Sequence, residues 1–263
     1  MSLMQHTQLF RGPIYVSDYP KWIFEEIFKL QNVVAEPVTN EITISDPTRL
    51  GLPPLDTVNS TSEITINAEA VAFSPRAAAI ATYGSVTQVP SGDVVDEAHD
   101  AYIDRVIMLA HIPLEVDEVT SADGVTTYTR NVDYAVVPAG IRILPGGPLA
   151  TAIAATTPPA GELKRLPIKV SYSYPTVDVI KPFITGQKFY RVMTGQINEG
   201  GSNERRRIQC FYCKISLNGG IPLNQGQEFG TIPVMIKLLA DPAIFDVGEA
   251  SMWQWEVENK DVA

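Results

Sequence analysis

Histidine and cysteine are scarce in this sequence, three of one and two of the other in 263 residues, and that scarcity narrows the chemistry before any element is placed. A tetrahedral zinc site needs four ligands. Cys210 and Cys213, spaced C-x-x-C, offer two, and His6, His99 and His111 form no H-x-x-x-H pair to supply the rest. The segment 207–217 around the cysteines reads as a strand. Side chains three apart on a strand face opposite ways, so the two sulfurs are expected to diverge as reduced thiols. Reduced thiols fit synthesis in a reducing cytoplasm. The histidines read as incidental: His6 near the terminus, His99 within an acidic loop, His111 after a strand. Motifs of the G-x-S-x-G and H-E-x-x-H type and phosphate-cradling glycine loops are missing. The expectation is a non-enzyme with no catalytic residue, no cofactor and no metal.

Long apolar runs are missing too. No stretch approaches the ~18 apolar residues that a membrane-spanning helix needs. The segment Met1–His6 lacks a basic region followed by an apolar run, so no secretory leader is expected. Positive charge is in deficit, with 20 Lys and Arg against 30 Asp and Glu and a net charge of −10. Such a surface repels nucleic acid and anionic membranes, which disfavours tight binding to either and still allows a surface along which DNA passes without sticking. Asp93, Asp96, Glu97, Asp100 and Asp104 crowd one segment, yet they lack the glycine and closing glutamate of a calcium loop and read as a solvated face. Glu115, Asp117 and Glu118 read as a charged strand edge, which discourages unwanted pairing.

What the sequence has in quantity is apolar residues, 45% of the chain, with 20 prolines and 18 glycines mostly between the apolar runs. That pattern predicts short strands joined by turns. Strands are expected at 10–16, 40–44, 62–69, 103–109, 114–119, 125–128, 134–137, 141–144, 166–174, 188–198, 208–217 and 232–239. The segment 22–30 fits a helical face or a strand, and its aromatic and β-branched content favours the strand. One helix stands out: Ser74 as cap, Pro75 at the first position, Arg76–Tyr83, and Gly84 as the stop. The segment 45–61 reads as a loop of about seventeen residues, longer than a compact domain usually tolerates without a use. Ala150–Pro159, rich in Ala, Thr and Pro, reads as a surface loop.

Two features point outward. Gly200-Gly201 permits a tight turn between two long strands, and Arg205, Arg206 and Arg207 begin the second. Without interleaved aromatics these arginines are read as partners for a neighbouring subunit's carboxylates, not as a nucleic-acid patch. Trp253 and Trp255 alternate, so both face one side of a strand and seal a core or an interface.

The run Tyr128…Asn131-Val-Asp-Tyr134-Ala-Val…Gly140-Ile-Arg-Ile-Leu-Pro-Gly-Gly147, followed by Ile168-Lys-Val-Ser-Tyr-Ser-Tyr174, resembles the central region of the tail tube (major tail) proteins of tailed bacteriophages. The segment Thr194-Gly-Gln-Ile-Asn-Glu-Gly-Gly-Ser-Asn203, the strand 207–217 and Gly230-Thr-Ile-Pro-Val-Met-Ile-Lys-Leu-Leu-Ala-Asp-Pro242 are similar to the end of those proteins. The resemblance implies a mainly β, tail-tube-like β-sandwich or barrel with one short flanking helix and long hairpin loops. It implies one domain over 1–263, with an outward hairpin elaboration over about 114–174. It also implies hexameric rings of identical copies, stacked into a hollow tube with an acidic lumen for DNA. The other partners would be the tape measure, the terminator and the tail tip or baseplate. The place would be the virion tail, after synthesis in the host bacterial cytoplasm, and no membrane would be involved. Stacking needs a projection, and Leu50, Leu52 and Leu55 in the 45–61 segment are the expected inter-ring contacts. The alternatives are a tail terminator, baseplate or head decoration protein, or else a β-sandwich carbohydrate-binding module or hydrolase.

Overall fold

The computed structural model describes residues 9–46, 48, 50, 54–200, 203–223, 230–246 and 248–258. Its first elements are β1 (Phe10–Arg11), β2 (Ile14–Asp18), β3 (Glu25–Ser45), β4 (Pro54–Phe73), α1 (Pro75–Ala81) and β5 (Ser85–Val89). There follow β6 (Gly92–Ala101), β7 (Val106–Met108), β8 (Glu115–Ser121), β9 (Thr127–Tyr128), β10 (Tyr134–Val137), β11 (Gly140–Ile143), α2 (Pro148–Ala155) and β12 (Leu166–Tyr174). The last are β13 (Val177–Lys181), β14 (Tyr190–Asn198), β15 (Arg205–Leu217), β16 (Ile232–Leu238) and β17 (Trp253–Val257). The fold is mainly β, as expected. It divides into two compact units: one from the described residues up to Val86 and from Ile180 onward, the other Thr87–Val179. The single-domain reading, with an elaboration over about 114–174, differs from this. The middle unit begins at Thr87 and owns a separate core.

In the first unit the ladder closes on itself. β14 pairs with β2, β2 with β3, β3 with β4, β4 with β16, β16 with β15, and β15 again with β14. The result is a six-stranded antiparallel barrel, to which β1 and β17 add along β14 and β15. Alternation along each strand sends every second side chain inward. Val16, Phe28, Ile64, Ala70, Val192, Ile215, Val234, Ile236 and Leu238 meet there in one apolar cluster. Fully buried side chains such as Ile215 and Ile236 each contribute about 1.5–3 kcal/mol of transfer free energy.

Helix α1 packs on that cluster through Ala77 and Ile80. Its start is the one the sequence specifies: Ser74 Oγ accepts from the Ala77 N–H at 3.1 Å, with Pro75 at the first position. It stops sooner than expected, because Tyr83 takes a left-handed φ of 51° and the Gly84 N–H returns to the Ala79 carbonyl at 2.7 Å.

In the middle unit, a sheet ordered β6-β12-β8-β9 and a sheet ordered β10-β11-β7 enclose one core with α2. Ile107, Val119, Tyr134, Ile141, Ile143, Leu149, Ile153, Ile168, Val170 and Tyr172 fill it. Helix α2 overturns the surface-loop reading of 150–159. Ala and Leu favour a helix, Pro148 fits its first turn, and Leu149, Ala150 and Ile153 are buried. Its cap comes from far along the chain: buried Asp133 accepts from the Leu149 N–H and the Thr129 N–H, each at 2.8 Å. The acidic segment at 93–101, expected as a loop, is strand β6.

The C-x-x-C reading is also corrected. Tyr190 and Val192 of β14 face Cys213 and Cys210, two steps against three, so β15 carries a bulge between the cysteines. The extra residue reverses the alternation, and both thiols face the barrel core instead of diverging. The Cys210 contact and burial together push the Cys213 pKa well up, which keeps that thiol protonated and unreactive.

Candidate assembly surface

Strands β3 and β4 run on together after the barrel ends. β16 accompanies β4 only from Ile64 to Ala70, and β2 accompanies β3 only from Glu25 to Phe28. From Val38 and Glu63 outward to Ser45 and Pro54, the two strands pair with each other alone among the described strands. Eight residues at ~3.3 Å each make an arm about 25 Å long. The segment 45–61, expected as a loop, is therefore strand from Pro54 onward. Its Asn, Ser and Thr residues read as turn formers but lie in a ladder with 39–44.

A bulge precedes the arm, where β4 is still paired with β16. Gln31 faces Glu69 and Val34 faces Asn67, so β3 has an extra residue there, and Asn32 takes a φ of 53°. The Glu69 carboxylate accepts from Gln31 Nε2 at 3.1 Å and from Asn32 Nδ2 at 3.2 Å, which fixes the kink that such a bulge imposes.

Beyond the kink the two faces of the arm differ. Thr39, Glu41, Thr43, Thr57, Asn59 and Thr61 share one face, where the Thr43 and Thr57 hydroxyls lie 3.3 Å apart. Val38, Ile42, Ile44 and Val58 share the other with Asn40, Ser60 and Asp56, and Ile42 lies directly opposite Val58. The four apolar side chains are 49–62% exposed. A two-stranded ribbon with exposed apolar side chains on one face is marginal on its own in water, and its outer backbone edges are open to another strand. Residues 36–63 also carry five carboxylates, from Glu36, Glu41, Asp46, Asp56 and Glu63, against one arginine.

Two of the three expected leucines are described, and both lie at the tip. Leu50 is fully exposed and Leu55, the extra residue between the pairs Ile44–Asp56 and Ser45–Pro54, is 65% exposed. Leu52 lies outside the described residues.

The arginines are placed differently from expectation. Arg207 pairs with Glu256 on neighbouring β17, a contact that raises its pKa. Arg206 points to the barrel side and donates to Gln196 Oε1 from Nε at 3.0 Å and Nη2 at 2.5 Å. Arg205 engages Glu258 through its backbone N–H and carbonyl. Two of the three side chains thus have partners within their own chain. Trp253 and Trp255 do share one side of β17, edge to face at 5.0 Å.

The family model described as "Protein of unknown function UCP028589" matches residues 7–252. The chain belongs to this family. The match spans the barrel strands up to β16, the arm and the whole middle unit, so the family is matched over both units together. No curated protein matches the chain.

Sequence reasoning missed a buried ion pair in the family member's barrel. Arg191 on β14 and Asp241, 8% and 2% exposed in their side chains, meet at 3.4 Å. Arg191 also donates to the Pro20 carbonyl at 2.9 Å and lies 3.9 Å from the Trp22 ring centroid. Tyr19 Oη donates to Asp241 Oδ1 at 3.0 Å, which raises the tyrosine's pKa. The only sequence signal was a cation inside the apolar run 190–193. In the middle unit, Glu97 accepts from Tyr172 Oη at 2.6 Å and from the Ala110 N–H at 3.1 Å, with His99 Nε2 at 2.7 Å. Burial opposes ionisation of Glu97, but these contacts outweigh it and lower the pKa. Burial and the same carboxylate push Tyr172 up to about 12. His111 stacks on Tyr174 at 4.0 Å. Asp96, Asp100 and Asp104, candidates for an oxygen cluster, instead pair with Lys169, Arg165 and Arg142. No helix among the described residues is long and apolar enough to cross a membrane.

Proposed function

We propose that this protein is a structural building block without a chemical step, whose copies join into hexameric rings that stack as the hollow tail tube of a tailed bacteriophage. The observation that carries this reading is the arm: a ribbon with open edges and exposed Val38, Ile42, Ile44 and Val58 on one face, projecting from a barrel whose six strands pair in a ring. A second copy that pairs along an edge or covers that face supplies what the arm lacks within its own chain. Interfaces that hold obligate assemblies bury about 2,000 Å² or more, so the arm would act together with further contacts between copies. The net charge suits a conduit. Six copies would bring about sixty negative charges around a bore, and few cations there would keep phosphate contacts, and hence drag on DNA, low.

Electron microscopy of the purified chain at rising concentration tests the proposal. Rings or tubes are expected, and a variant with 39–60 replaced by Asn-Gly should give none while its barrel still folds. Tubes formed equally well without the arm would refute the role assigned to it. An assembly whose inner wall is strongly cationic would refute the conduit.

A further inference from the structure

The barrel has an opening whose lining does not match the rest of its interior. Toward the far ends of β14 and β15 the inward positions change from Val192 and Cys210 to Thr194, Gln196, Ile208 and Arg206, with Trp253 and Trp255 alongside in register. These residues, with Ile14, Ile66 and Ile236 deeper in, line a cavity of about 500 Å³, within the ~300–1,000 Å³ range of small-molecule sites and at the barrel mouth where such sites recur.

Two polar groups in this lining are incompletely satisfied. Thr194 Oγ1 is buried and, alone among the buried side-chain polar atoms of the described residues, finds no hydrogen-bond partner. A buried hydroxyl without a partner is costly and calls for an explanation. Arg206 is a half-buried cation flanked by the Phe10 ring at 3.9 Å and the Trp255 ring at 5.5 Å. Its acceptor is the neutral Gln196 amide, and no carboxylate of the described residues forms an ion pair with it, whereas its neighbour Arg207 takes Glu256 and Arg11 takes Glu199. Burial alone lowers its pKa. Buried charges are ordinarily paired.

We infer that the barrel mouth is a binding site for a small carboxylic acid with an apolar body, its carboxylate taken by Arg206 and the Thr194 hydroxyl and its body lying against Trp253, Trp255 and Ile208. The guanidinium offers a fork that fits a carboxylate in two hydrogen bonds, and the hydroxyl supplies a further donor. The apolar floor of Ile14, Ile66 and Ile236 favours an aliphatic or aromatic body over a sugar or a nucleotide. This inference stands apart from the assembly reading, since the mouth lies within a single chain.

Titration of the full chain with sodium octanoate, at a dilution where sedimentation shows monomer, tests it by calorimetry and indole fluorescence. Saturable binding is expected, with octylammonium failing to bind. Arg206→Met should weaken octanoate about tenfold or more, and Arg206→Lys should recover part of the loss, each variant first being shown by circular dichroism to be folded. Thr194→Val, which keeps the volume and removes the hydroxyl, should also weaken binding. Absence of saturable binding to the folded wild-type chain, or equal affinity in wild type and Arg206→Met, would overturn the site.

Discussion

One pair of strands has two fates in this molecule. In their barrel part β3 and β4 bury Ile27, Phe28, Ile64, Ile66, Ala68 and Ala70. In their outer part the same two strands, still paired with each other, leave Ile42, Ile44 and Val58 more than half exposed. Composition does not separate the parts, since both are rich in β-branched residues. Neighbours do. The inner part has β2 on one edge, β16 on the other and a far wall of the barrel across the core. The outer part has only its partner strand. Ladder hydrogen bonds define a ribbon, but burying one of its faces needs a second layer, and for the arm no described part of its own chain supplies that layer.

The largest expected effect lies at the barrel's ion pair, a kind of anchor the arm does not have. Asp241→Ala leaves the Arg191 guanidinium buried without its carboxylate and takes a hydrogen bond from Tyr19 and from the Ala243 N–H. A loss of about 3–5 kcal/mol is expected, seen as a lower urea midpoint at unchanged m-value. A loss under 1 kcal/mol would mean that the pair is solvated in solution.

The comparison itself is tested by the same substitution at two places in one hairpin. Ile66→Ala, in the barrel core, should cost about 2–5 kcal/mol through lost burial and a residual cavity. Ile42→Ala, on the arm, should cost under about 0.5 kcal/mol in the monomer. Equal costs at the two sites would show that the arm packs against something in its own chain.

Much of this fold was legible from local pattern. The strands Leu166–Tyr174 and Tyr134–Val137 have the expected ends, and Ser74-Pro75 announced α1, because alternation and capping act within a few residues. What was hidden depends on residues far apart. The cap of α2 is Asp133, and nothing near Pro148 hints at it. The sulfurs of Cys210 and Cys213 converge only because β14 opposite forces a bulge. The arm was hidden by its own composition, since Asn59, Ser60 and Thr61 signal a turn unless residues 39–41 lie alongside. Arg206 reads from sequence as a partner for a neighbouring subunit's carboxylates, but register with Gln196 turns it to the barrel mouth.

The smallest effect on stability should accompany a large one on association, and that contrast separates an interface from a core. Ile42→Ser with Val58→Ser removes the directly opposed apolar pair of the arm while leaving its ladder and its bulge at Glu69 intact. The monomer's urea midpoint should stay within error of wild type, because both side chains are already in water. Assembly should fail, because the exposed pair at the centre of the apolar face is where a partner's burial would contribute most. Sedimentation velocity at a concentration where wild type forms rings or tubes reads both states at once. A double variant that assembles like wild type would remove the apolar face from the interface and leave only the strand edges to hold copies together.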